Sequence, residues 1–236
     1  MKAYIDDSAI VLLSGGQDSA TALLWARQVF QNVYAVTVNY GQRHACEILY
    51  AARFALTQGI ESMVLDMEWL GPELGSALGD HSLLIASSGG YQNLPTTFVP
   101  GRNMVLLSIV ASIAAARGIK HIVAGFCETD YSGYPDCRRV FVDAFETAFG
   151  FAINGKIQVH TPLMNLDKAD TFALAERFGG IGDIIHNTMT CYQGEETLHD
   201  WGRGCGVCPA CVLRIRGFEK WKGVDYSPNL DASVPV

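Results

Sequence analysis

Several things are scarce in these 236 residues, and each scarcity removes a class of function. Charged side chains make up only 17%, too few for a chain kept disordered by hydration and self-repulsion. Basic residues are outnumbered, 17 Lys+Arg against 24 Asp+Glu for a net charge of −7. A protein that grips long nucleic acid by its phosphates carries positive charge in excess or in an evident stripe, so no nucleic-acid partner is expected. Long apolar runs are missing too. The longest, Val105 to Ala116, is interrupted by Ser108 and Ser112 and falls short of the roughly 20 residues a membrane helix needs. The opening Met1 to Asp7 has no signal-peptide pattern, and the expectation is a cytoplasmic protein with no membrane partner. No Gly-x4-Gly-Lys-Ser/Thr run occurs, which argues against a Walker-type phosphoryl-transfer site, and no Gly-x-Gly-x-x-Gly follows the first strand. There is no internal repeat and no low-complexity tract.

What is present is a 49% hydrophobic composition, enough for a full core in one ordinary domain with an appendage, or two small ones. Ala9 to Leu13 is β-branched and uniformly apolar, as a strand buried on both faces of a parallel sheet would be. A helical pattern follows from Asp18 to Gln31, then a strand over Tyr34 to Tyr40, a helix over Ala45 to Gln58 and a strand over Met63 to Asp66. These two successive βαβ crossovers predict a doubly wound, mostly parallel α/β fold. Trp69 to Asn103 is crowded with glycine and proline and reads as one long loop. Order returns with helices over 103–117, 139–149 and 168–178 and strands over 121–124 and 157–160. Periodicity fades from Thr188 onward. The expected division is a nucleotide-binding α/β domain over 1–187 and a metal-binding C-terminal segment over 188–236.

The first strand ends in Ser14-Gly15-Gly16-Gln17-Asp18-Ser19. Paired glycines let backbone N–H groups approach an anion with no Cβ in the way, and the helix N-terminus behind them adds partial positive charge. A tight turn with Asp18-Ser19 as a helix cap would use the same residues; the whole run at this place in the fold favours a pyrophosphate seat. Lys168 follows Asp167 near a helix start, where a cation is unfavourable unless an anion faces it. Arg102 likewise stands at a helix entry. Either reads otherwise as a solvated surface charge.

Of the seven cysteines, Cys191, Cys205, Cys208 and Cys211 crowd into the last quarter of the chain. Four thiolates suit a closed, structural tetrahedral Zn²⁺. An iron–sulfur cluster is the competing reading, although Ile215 stands where a ferredoxin pattern would want a further cysteine. Between a strand and a helix, Glu128 to Arg138 supplies Tyr131, Tyr134 and Asp136. Aromatics stack on heterocycles and a carboxylate accepts from a guanine-like edge, which suits a purine-like ligand, while an ordinary turn capped by Asp136 is equally compatible. Cys137 reads as a packing thiol in preference to a nucleophile.

The Ser14 to Ser19 run is similar to that of the PP-loop ATP pyrophosphatases. Together with Val38-Asn-Tyr-Gly-Gln-Arg43-His44, Val99-Pro-Gly-Arg-Asn103, Glu128 to Arg138, Thr161-Pro-Leu163 and the four cysteines, it resembles the 7-cyano-7-deazaguanine synthases of queuosine biosynthesis, from the first strand to about residue 220. The resemblance implies an adenine nucleotide alpha hydrolase-like fold and a ligase forming C–N bonds. In that chemistry ATP adenylates 7-carboxy-7-deazaguanine, ammonia displaces AMP to give an amide, and a second adenylation leads to the nitrile. It implies ATP binding by Leu13, Ser14, Gly15, Gly16, Gln17, Asp18, Ser19 and Ala20, catalytic roles for Asp18, Arg102 and Lys168, and substrate contacts from Tyr131, Tyr134, Asp136 and Arg138. It further implies one structural Zn²⁺ on Cys191, Cys205, Cys208 and Cys211, Mg²⁺ accompanying ATP, free ammonium as nitrogen source, and a homodimer. Two departures stand out: a long gap between Cys191 and Cys205, expected only to lengthen a loop, and Cys127 where asparagine is more usual. PP-loop enzymes that adenylate a tRNA base, relatives that pass the deazaguanine acid to another acceptor, and a noncatalytic zinc module are the other readings.

Overall fold

The computed structural model describes residues 8–43, 46–80, 82–86, 88–129 and 134–230. Five strands, β1 (Ser8–Leu12), β2 (Asn32–Asn39), β3 (Glu61–Asp66), β4 (His121–Ala124) and β5 (Gln158–His160), form one sheet in the order β3-β2-β1-β4-β5. Every pairing in it is parallel. Central β1 has side chains that alternate between two cores. Ala9 and Val11, followed just past the strand by Leu13, enter one, with α1 (Gln17–Val29), α2 (Cys46–Thr57), α6 (Lys168–Arg177) and α7 (Ile181–Asn187). Ile10 and Leu12 enter the other, with α4 (Arg102–Ala116) and α5 (Arg139–Ile153). Burial on both faces is why this strand reads as a continuous apolar run. The doubly wound expectation is borne out.

From β1 the chain winds outward through β2 to β3, then returns to lay β4 on the other side of β1. The C-terminal ends of β1 and β4 therefore diverge into connections on opposite sides, the topological switch point at which open α/β sheets bind ligands.

Three stretches differ from the sequence expectations. The long loop contains a short helix, α3 (Leu70–Glu73). α5 continues to Ile153, four residues past its expected end, and closes on Asn154 in the left-handed region at φ 47. α7 was not expected, and beyond Thr188 there is more regular structure than the fading periodicity implied: a hairpin of β6 (Leu198–His199) and β7 (Gly202–Arg203), and the 14-residue α8 (Pro209–Lys222). The buried stripe of α8 is Ala210, Cys211, Arg214 and Gly217. Its spacing is helical, yet an arginine and a glycine occupy half of it, so hydrophobic periodicity does not register. α8 lies on α6, so closely that a Cβ on Gly217 would sit 2.3 Å from that of Lys168.

Candidate functional site

A cleft of about 280 Å³ opens at the switch point. Its floor is the β1–α1 turn. Within that turn Ser14 N–H donates to Ser19 Oγ at 3.1 Å, the two hydroxyls lie 3.0 Å apart, and Ser19 Oγ donates to Gly16 O at 3.1 Å. Gly15 adopts φ +87, and a Cβ there would lie 2.3 Å from the main-chain oxygen of Glu47. The first turn of α2 thus rests directly on the turn, and only glycine fits between them. At the end of β4, Gly125 approaches as closely: its Cβ would fall 2.7 Å from both Asp18 C and Ser19 N.

The turn is braced from behind by the C-terminal segment. Met189 N–H donates to Gly15 O at 2.9 Å, and Gln17 N–H points at Thr190 Oγ1 at 3.5 Å. Thr190 in turn accepts from Arg214 Nη1 at 3.0 Å, while Arg214 also donates to Trp201 O at 2.9 Å and Ile184 O at 2.8 Å. This guanidinium is fully buried, and burial lowers its pKa to about 10. Neither Thr190 nor Arg214 was legible as a site element, since a basic residue on a polar-looking helix reads as a solvated charge.

Asp18 and Lys168, 150 positions apart in sequence, meet in the cleft: Lys168 Nζ donates to Asp18 Oδ2 at 2.5 Å. The anion needed beside a cation at a helix start is therefore Asp18. Lys168 is held by the cap of α6, where Asp167 accepts from Ala169 N–H at 2.8 Å and Asp170 N–H at 2.9 Å and Asp170 reaches back to Asp167 N–H, a reciprocal box. Lys220 pairs with Asp167, and Tyr226 Oη and Asn229 N–H donate to Asp170 at 2.8 and 2.9 Å. The tail beyond α8 thus closes over the turn that presents Lys168.

Arg102 enters from the opposite wall on the first residue of α4, after Gly101 at φ 68. Burial works against its charge, but Tyr40, at 3.4 Å from Nη1, and the nearby Cys137 and Asp136 outweigh that and raise its pKa. Asp136 accepts Asn103 N–H at 3.0 Å through Oδ2. Beside it burial lifts the Cys137 thiol to about 12, with the charge of Asp136 adding to the effect, so it stays protonated at neutral pH. Tyr134 is buried, its hydroxyl 2.6 Å from Thr97 Oγ1 and its ring beside Phe98. Arg138 is exposed at the start of α5 and does not line the cleft; Tyr131 lies outside the described residues.

Among the described residues, the buried polar side-chain atoms without a hydrogen-bond partner are both amide atoms of Gln17, Asp18 Oδ1, Arg102 Nε and Asp136 Oδ1. Such atoms are costly and rare. All of them belong to this cleft or to the residues directly behind its wall, so the site holds polar groups prepared for something other than protein. Glu47, which sequence reasoning passed over, lines the same cleft half-buried, and desolvation there pushes its carboxyl up to about 8 against the opposing pull of Arg102.

The four C-terminal cysteines form a second centre. Their sulfurs all lie within 4.8 Å of one another, with Cys205 and Cys211 at 3.9 Å. A tetrahedral ion bonded to sulfur at ~2.3 Å requires separations of roughly 3.8 Å, so the donor set fits. Backbone N–H groups of Gln193, Cys208 and Cys211 point at the sulfurs of Cys191, Cys205 and Cys208. The long Cys191–Cys205 gap does more than lengthen a loop. It folds as the β6–β7 hairpin, whose Trp201 and Gly202 enclose the Arg214 guanidinium. Cys127 lines the cleft and its thiol donates to Leu166 O at 3.0 Å.

Comparison with known proteins gives a concordant result. The chain is 45% identical over 215 residues to the 7-cyano-7-deazaguanine synthase of Staphylococcus haemolyticus, covering 91% of this chain and 93% of that one. It is 48% identical over 228 residues to the enzyme of the same name from Nitrobacter hamburgensis, covering 91% and 94%. Among solved structures, a 4-thiouridine synthetase in complex with RNA and bound ATP superposes with a TM-score of 0.50 at 15% identity, covering 90% of this chain and 53% of that one, a likeness of fold alone. The family profile described as queuosine biosynthesis protein QueC matches residues 8–222, and with relatives this similar along nearly its whole length the chain belongs to the QueC family.

Proposed function

We propose that this protein uses ATP to convert 7-carboxy-7-deazaguanine and ammonia into 7-cyano-7-deazaguanine, through an adenylated acid, an amide and an adenylated amide, with release of AMP and pyrophosphate. The observation that carries the reading is the Asp18–Lys168 pair meeting Arg102 across a cleft floored by the glycine turn. A carboxylate oxygen is a poor leaving group, and loading AMP on it makes it a good one. That transfer requires cations at the α-phosphate and a cradle for departing pyrophosphate.

In this reading Leu13 to Ala20 cradle the pyrophosphate at the positive end of α1. Lys168 and Arg102 offset charge developing at the α-phosphate. Asp18, with Oδ1 uncommitted, would hold Mg²⁺, which supplies neutralisation of the triphosphate oxygens when bound. Tyr134 and Asp136 would face the bicyclic ring, and Tyr131 and Arg138 are proposed substrate contacts by their place in the same motif. The Cys191, Cys205, Cys208 and Cys211 set would hold one Zn²⁺, whose saturated coordination suits a structural role. Residues 1–187 are then the nucleotide-binding part and 188–236 the metal-binding part, and the latter's Met189 and Thr190 back the phosphate turn.

Cysteines that stand outside any disulfide, all seven of them, support a reducing, cytoplasmic compartment, and among the described residues no helix is long and apolar enough to cross a membrane. Exposed Val140 and Phe151 on α5 support a homodimer. Incubation with the acid, MgATP and an ammonium salt, followed by mass spectrometry, tests the assignment: the nitrile, AMP and pyrophosphate are expected, and Asp18→Ala should abolish them. An unchanged acid, or ADP and orthophosphate as products, would refute it.

A further inference from the structure

The proposed reaction forms and breaks bonds to nitrogen in both halves, and each half must remove a proton from that nitrogen. Most titratable groups around the cleft are unsuited to take it. Asp18 is paired with Lys168, and Asp136, bound to Asn103 N–H through Oδ2, stands behind the wall and does not line the cleft. Burial pushes Tyr40 and Tyr192 upward, away from the ionised form, and Cys137 up to about 12. Lys168 and Arg102 are cations.

Glu47 differs. It stands on the first turn of α2 and lines the cleft. Among the described residues no hydrogen bond or ion pair engages its carboxylate, and the one charge that steadies its ionised form is Arg102. Its place over the phosphate turn is fixed by backbone, because its carbonyl packs against Gly15 where no Cβ fits. A base so fixed relative to the phosphate seat is fixed relative to an acyl group bonded to the α-phosphate, two bonds away. The groups near it are Cys46 on its own helix, Tyr40 after β2, Arg102 on α4 and Tyr192 in the C-terminal segment.

Resting on the reading above, we propose that Glu47 is the catalytic base that takes the proton from nitrogen in both halves of the reaction. In the first half, the lone pair of ammonia bonds to the acyl carbon, one N–H proton passes to the Glu47 carboxylate, and the C–O bond to AMP breaks with its electrons leaving on AMP, giving the amide. In the second half the O-adenylated amide first gives up one of its two nitrogen protons to solvent. The other then passes to Glu47, the N–H electrons complete the carbon–nitrogen triple bond, and the C–O bond breaks to release AMP. Glu47 returns its proton to solvent between halves. A carboxyl poised near 8 suits this work, since a general base is most effective with a pKa near the operating pH.

Adenylation of the acid moves no nitrogen proton, so the two chemistries can be separated. In Glu47→Gln, acid-dependent exchange of labelled pyrophosphate into ATP should persist within a few-fold, while ammonia-dependent formation of amide should fall by about 100-fold or more; Glu47→Asp should recover part of it. At constant free ammonia, wild-type turnover should rise with pH through a midpoint near 8, and that limb should vanish in the glutamine variant. Equal loss of exchange and amination in Glu47→Gln, or retention of both, would overturn the role of Glu47, and so would a wild-type profile without the limb, which needs no variant to fold. Absence of acid-dependent exchange in the wild type would instead refute the underlying reaction, and this role with it.

Discussion

Replacing Arg214 by methionine tests whether the buried guanidinium organises the back of the site. Methionine keeps the length and apolar stem of the side chain and removes every donor. Three bonds are then lost: Trp201 O is left without its donor, while Ile184 O keeps the Thr188 hydroxyl at 2.5 Å and Thr190 Oγ1 keeps only the long approach of Gln17 N–H. An acceptor left unsatisfied in the interior costs about 1–3 kcal/mol and each lost bond from a charged donor to an acceptor that keeps another partner about 1.5–3, roughly 4–9 for the set. Against this, the variant no longer buries a charge. Among the described residues no carboxylate pairs with Arg214, and Asp18 acts on it only from a distance, so several kcal/mol of desolvation are relieved. A net loss of about 2–4 kcal/mol is expected, which in a chain of this size lowers the melting temperature by roughly 5–15 °C. The same change removes support from Thr190, the acceptor facing Gln17 N–H, so the KM for ATP should rise by more than kcat falls. Thermal denaturation and steady-state AMP release read both. A variant that melts with the wild type and keeps its KM would refute the view of Arg214 as a brace, leaving it a tolerated buried charge.

Gly15→Ala should abolish nucleotide binding, since it adds about 1–2 kcal/mol for the left-handed backbone to a 2.3 Å approach to main-chain oxygen that no rotamer relieves; calorimetric titration with ATP checks it, and wild-type affinity would show that α2 yields. Metal analysis should find one zinc per chain in a colourless protein, with Cys208→Ser reducing both metal content and melting temperature, whereas a brown sample with visible charge-transfer absorption would point to an iron–sulfur cluster. His160, 2.9 Å from His121, has its pKa lowered to about 4 by burial first and by its histidine neighbour second. Because the folded state holds fewer protons than the unfolded one between about pH 6.5 and 4, stability falls as the solution is acidified through that window, by about 2–3 kcal/mol at most. Urea titrations of wild type and His160→Gln across that range should diverge toward high pH dependence only in the wild type, and parallel curves would refute the assignment.

The contrast between Ser14–Ser19 and Glu47 shows what a linear reading can reach. The glycine turn announces itself because its residues act where they stand, between a strand buried on both faces and a helix start. The pairing of Asp18 with Lys168 was half visible: a cation at a helix start asked for an anion, but only the winding of the sheet shows which. Glu47 follows Cys46 at a helix start, where an acidic residue is ordinary. What sets it apart is its place in the cleft, within electrostatic reach of Arg102, a property of the fold and not of its sequence neighbours. α8 escaped for a related reason, since its buried stripe includes Arg214 and Cys211, residues whose burial depends on acceptors and on companion thiols from elsewhere in the chain. The four cysteines were legible because three of them are close in sequence and metal spacing is local.

The bonds from Tyr226 and Asn229 to Asp170 make the stretch after Lys222 a latch on the helix start that aims Lys168. Cutting the chain back to that point, or hauling on it with a bulky downstream fusion, would loosen the aim of a lysine more than fifty positions away without disturbing the sheet. Preparations differing only in such trailing sequence should therefore differ in turnover while sharing one melting profile for the core.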